Sequence, residues 1–205
     1  MELKNLIVET EEILSSFYAV ELPYSAVNFL FVTEVESLKI PADDKNKLAL
    51  TLFEKTGDDF FIGVYFSKIL QERLLHTHAT FTVAQISDIV CVFEEVSHFH
   101  HVLHALQHHY QISLLELEYL AELEKFSILC EFLQRRFHAD FAETIFHLFF
   151  RHCTFLPNSD QDRYMAATMQ ARLKIQSIFS GNNRGSPRHY RESFRQEYFR
   201  KLRAS

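Results

Sequence analysis

The sequence predicts an α+β protein. A small antiparallel hairpin or sheet at about residues 25–66 packs on a mainly α-helical bundle at about 68–180, and a basic amphipathic helix follows. Three observations carry this reading. Two runs of alternating apolar residues flank Lys55-Thr56-Gly57-Asp58-Asp59, as in a β-hairpin. After Ser67 the spacing turns helical, with capping residues at the expected positions. "GNNRGSP" then separates the body from a terminal segment rich in arginine and aromatic residues. The division is one globular domain over 1–180, a linker over 181–187 and a basic helix over 188–205.

The elements follow in order. Apolar residues at 3, 6, 7, 13, 14 and 17 predict an N-terminal helix to about Tyr18. "NFLFV" after Pro23 supplies a candidate strand. Leu48, Leu50 and Leu52 alternate on one arm of the hairpin, and Phe60, Ile62, Val64 and Phe66 on the other, around a loop of about five residues. Ser67 caps a short helix to about Leu75, and Thr82 starts a long one to Tyr110. Ser113 with Glu116 forms a capping-box signature, and Asp140 with Glu143 repeats it. A helix from about Asp160 to Phe179 ends where Gly181 fits a helix stop.

Composition excludes several chemistries. The four glycines, Gly57, Gly63, Gly181 and Gly185, include no phosphate-cradling cluster, which removes P-loop and Rossmann enzymes. Cys91, Cys130 and Cys153 are odd in number, widely spaced and flanked by apolar residues, as in reduced buried thiols of a cytoplasmic protein. No long uncharged apolar run and no secretory leader stand in the sequence. No nucleophile elbow or zinc-peptidase motif is present, so no catalytic residue is assigned and the chain reads as a non-enzyme.

The densest chemical signal is "SHFHHVLHALQHH", six histidines within twelve residues. On a helical wheel of roughly 100° per residue, Phe99, Val102, Leu103 and Leu106 gather on one side and the histidines mostly avoid it, as a solvated face would. Glu95 is the exception, falling on the apolar side with His98 at its edge. Glu95 and His98 have the Glu-x-x-His spacing of di-iron carboxylate bundles. Glu118 and Glu122 also fall among apolar residues, and Glu143 and His147 stand one turn apart. These six form a candidate di-iron or manganese ligand set, although the usual pattern needs a second Glu-x-x-His helix. Buried carboxylates need a metal, a basic partner or water. His101, His104 and His108 are separately read as a surface site for loosely held zinc or as a pH-responsive patch.

The charge is uneven. The whole chain carries −6, yet from Asn183 onward six arginines and one lysine face two glutamates. Tyr190, Phe194, Tyr198 and Leu202 form a stripe at four-residue steps, with Arg191 and Arg195 beside it, a candidate partner-binding helix. Its partner is the acidic body, another protein or a second copy. Nucleic acid is a third functional reading, against which the acidic body argues. The leading reading is a cytoplasmic, non-catalytic interaction or accessory protein, possible homo-oligomer included. The alternative is a helical carboxylate metalloprotein of redox or oxygen-activating type.

Overall fold

The computed structural model describes residues 1–19, 21–31, 48–57, 59–76, 81–151 and 161–180, with Glu192 and Gln196 beyond them. Cys153, Pro157, the linker 181–187 and almost all of 188–205 lie outside the described residues. The chain divides into two compact units: Met1–Glu12 with Leu22–Leu103, and Ile13–Glu21 with His104–Ser205. Helix α1, Leu3–Tyr18, matches its predicted span. Its first part buries Leu6 and Ile7 in the first unit, and its second part buries Ile13, Leu14, Phe17 and Tyr18 in the second.

In the first unit, Ser25 caps a 3-10 turn, Ala26–Phe29, by accepting from the Val27 N–H. Strand β1, Leu30–Phe31, follows directly. Strands β2, Ala49–Thr56, and β3, Asp59–Phe66, form the predicted antiparallel hairpin. Gly57, at φ +66°, supplies the left-handed corner between them. Lys55, Thr56 and Asp59, expected in a loop, belong to the strands, because the ladder continues to the pair Thr56 and Asp59.

The sheet order is β1-β3-β2, and β1 runs parallel to β3, pairing Leu30 with Val64 and Phe31 with Tyr65. The sheet is therefore mixed, where a wholly antiparallel one was predicted. Local alternation marks strands but carries no sign of the crossover that a parallel neighbour requires. Gly63 makes the β1 contact possible, since a Cβ there would overlap the Phe31 ring. Val64 and Phe66 are buried at the base of the hairpin, while Phe53, Phe60 and Phe61 are exposed toward its tip.

Helix α2, Lys68–Leu75, begins at Ser67, whose Oγ accepts from the Leu70 N–H at 3.2 Å. Helix α3 spans Val83–Gln107. It stops short of the predicted Tyr110 because His109 turns left-handed at φ +56°. Within the first unit, Ile89, Val92, Phe93, Val96 and Phe99 are buried, and Phe29 packs on Phe99 with ring centroids 5.0 Å apart. Thr51 Oγ1 donates to the Glu95 carbonyl at 2.9 Å, which fixes β2 against α3.

In the second unit, α4, Leu114–Phe137, opens with the predicted capping box between Ser113 and Glu116. It ends at His138, which takes the left-handed cap conformation at φ 52°. Helix α5, Ala142–Arg151, starts where Asp140 Oδ1 accepts from the Ala142 N–H. Helix α6, Gln161–Ser180, packs on α4. Buried residues surround α4 from Leu117 to Leu133, so it is the core helix of this unit. Among the described residues, no helix is long and apolar enough to cross a membrane.

Candidate functional site

Glu11 is the most heavily engaged carboxylate in the first unit. Its Oε1 accepts from the Ala26 N–H at 2.6 Å and lies 2.9 Å from His100 Nε2, while Oε2 accepts from Ser25 Oγ at 2.7 Å. Glu11 and His100 are both buried. The arrangement ties α1 to the start of the 3-10 turn and to α3. Ser25 and His100 each address Glu11, which differs from the serine-to-histidine bond that activates a nucleophile. Its chemistry is that of a fastener. Sequence spacing contained half of this site: Glu11 stands four residues after Ile7 and three before Leu14, on the apolar side of α1.

The histidine run departs from the solvated reading. His98, His100 and His101 are 7, 9 and 2% exposed. Burial encloses nearly the whole circumference of α3 between Val92 and Val102. A wheel with one apolar arc supposes one neighbour, and α3 is covered on more than one side. His101 therefore falls outside the proposed surface site, which leaves His104 in the last turn of α3 and His108 just past its end, their ring centroids 4.2 Å apart. His104 Nδ1 lies 3.3 Å from Tyr110 Oη. Burial, and then the nearby Glu116 charge, push the Tyr110 phenol up.

Glu95 lies almost wholly buried, as its wheel position predicts, and its Oε2 is 3.6 Å from His98 Nδ1. A further acid joins them, since Glu94 and His98 offer ligand-type atoms within 4.8 Å of each other. The α3 grouping is thus two carboxylates around one buried imidazole. Glu94, one turn before His98, was not among the predicted ligands although it has the i, i+4 spacing.

The remaining predicted ligands lie in the second unit. Glu118 is buried with Oε1 3.7 Å from Arg163 Nη2, and Glu122 accepts from Lys125 Nζ at 2.8 Å. Tyr18 Oη donates to Glu124 Oε1. Glu143 and His147 approach to 3.9 Å, but the Glu143 side chain is 89% exposed. Desolvation first, and the charges of Asp140 and Glu131 second, raise the Cys130 thiol well above its ordinary range, which suppresses its thiolate. The partner-binding candidates Tyr190, Arg191, Phe194, Arg195, Tyr198 and Leu202 lie outside the described residues; Glu192 and Gln196 among them are helical and exposed.

No relative decides among these readings. No family model, no curated protein and no solved structure matches the chain.

Proposed function

We propose that this chain is a non-catalytic interaction or accessory protein that assembles through its helical surfaces and its C-terminal helix. The observation that carries the reading is the use made of the buried charge. Glu11 is spent on three donors, Glu118 and Glu122 on bases of their own unit, and Glu124 on Tyr18. Groups that could do acid–base work are engaged with partners of the fold, Glu122 within α4 and the others between elements, and the Cys130 thiol is kept protonated. Large apolar side chains are meanwhile offered to solvent on the hairpin and on α6.

Deleting the chain from Arg184 onward tests the proposal. The expected result is a changed mass by light scattering or a lost partner in a pull-down. Unchanged mass together with unchanged capture overturns it.

One observation favours a second reading, a helical carboxylate metalloprotein: Glu94 and Glu95 flank the buried His98. Elemental analysis of protein purified without a polyhistidine tag is its test. Bound iron or manganese that disappears in Glu95→Ala supports it. Protein that stays metal-free after anaerobic iron loading removes it.

A further inference from the structure

We propose that α6 pairs antiparallel with the α6 of a second copy of this chain, about a two-fold axis at the level of Ala167. The starting point is that α6 carries large apolar side chains on two sides. Ala167, Ala171, Ile175 and Ile178 are buried, and the helix packs on α4. On the other side Met165, Met169 and Leu173 are 39, 60 and 64% exposed. Asp162, Arg172 and Gln176 are exposed there too. At roughly 100° per residue, Asp162, Met165, Met169, Arg172 and Gln176 lie within one narrow arc, with Leu173 at its margin. Their steps, alternately three and four residues, are those of a coiled-coil seam.

Charge names the occupant and its direction. A parallel, in-register copy would set Asp162 against Asp162 and Arg172 against Arg172, two layers of like charge. An antiparallel copy sets opposite each other the residues equidistant from the two-fold axis. Asp162 and Arg172 each stand five residues from Ala167, and Met165 and Met169 each stand two residues from it. One axis therefore places Asp162 on Arg172 of the second copy and Met165 on its Met169, and the symmetry repeats both pairs in reverse. Opposite charges close the seam at each end and four methionines fill its middle. Neither the Asp162 nor the Arg172 side chain has an ion pair among the described residues, so pairing with a copy breaks none.

A surface that complements itself is what an isologous contact requires, and methionine, unbranched and polarizable, adapts to the facing side chains. The contact is small. A single helix face falls below the roughly 800 Å² per partner of a standard interface, so the dimer dissociates on dilution. The inference rests on the reading of the chain as one that assembles through its helical surfaces, and names the surface and the partner.

Light scattering of the full-length protein from micromolar to millimolar concentration tests it. The mass is expected to rise toward twice that of the monomer. Asp162→Arg alone sets two arginines against each other, and Arg172→Asp alone sets two aspartates against each other. Each is expected to raise the dissociation constant about tenfold, and the two together to restore the parent value. Met169→Glu is expected to weaken the dimer at least as much. All three positions are exposed, so unchanged far-ultraviolet circular dichroism confirms an intact fold. A chain monomeric throughout the range, a dimer indifferent to the single reversals, or a double reversal that stays monomeric overturns the inference. A monomer that still loses a captured partner on deletion from Arg184 onward overturns this pairing alone and leaves the assembly reading standing. A dimer that follows the charge pattern, while that deletion changes neither mass nor capture, keeps the pairing and removes the C-terminal helix from that reading.

Discussion

Glu11 turns both carboxylate oxygens toward donors from two other segments of its unit, Ser25-Ala26 and His100. Removing it leaves a buried imidazole and a backbone N–H without their acceptor, and such losses are worth about 3 kcal/mol or more. Glu11→Ala is therefore expected to lower unfolding free energy by about 3 kcal/mol in urea titrations, with Ser25→Ala costing about 1 kcal/mol. Equal, small effects of both would show that Glu11 fastens nothing. Gly63→Ala presents a different cost, since its new methyl meets the Phe31 ring. Overpacking of this kind is expected to remove about 1–3 kcal/mol, read from the same titrations. Residue-scale legibility was partial. The spacing placed Glu95, Glu118 and Glu122 on apolar surfaces and did not single out Glu11, and the bases and donors that meet these acids are chosen by tertiary packing. Glu11 and His100 are 89 residues apart, a separation to which helical periodicity is blind.

At the scale of elements, whatever is written locally was readable. Ser67 and Ser113 each cap the helix assigned to them, because a cap needs only residues within one turn, whereas Asp140 stands one residue ahead of the α5 cap position and accepts from the Ala142 N–H. Ser113→Ala is expected to cost about 1 kcal/mol of stability, measurable by thermal or urea unfolding. Elements with several neighbours were read less well. The wheel set most of the histidines in water with His98 at the edge of the apolar arc, whereas α3 is enclosed along the stretch that holds His98, His100 and His101. The two-residue β1 was visible as a strand, but its parallel pairing on β3 was not. Left-handed turns at His109 and His138 end α3 and α4 at non-glycine residues, where no sequence stop signal stands.

For the molecule as a whole, the resolved ionisations give stability an alkaline limit. Cys130 and Tyr110 both have raised values, so the fold holds them neutral over a wider range than the unfolded chain does. Their contribution is complete below the unfolded values. It is lost as pH rises past about 8.5 for the thiol and then past about 10 for the phenol, because the unfolded state releases its protons first. Urea midpoints are expected to fall over that window, and Cys130→Ala is expected to flatten the first part of the decline. A midpoint that is level across the window in the parent protein would contradict the burial of these groups. Cys130 is likewise expected to resist thiol reagents at neutral pH until the protein is unfolded.

The second unit gathers Ile13–Glu21 with residues from His104 onward, and Tyr18 meets Glu124 across 106 residues of sequence. A ribosome adding about 5–20 residues per second needs roughly 5–20 s to deliver that partner. Through that interval Ile13, Leu14, Phe17 and Tyr18 have left the exit tunnel ahead of the segment that will bury them. The nascent chain thus carries an apolar patch in waiting, which makes the interval between the synthesis of these two segments the stage most in need of a chaperone.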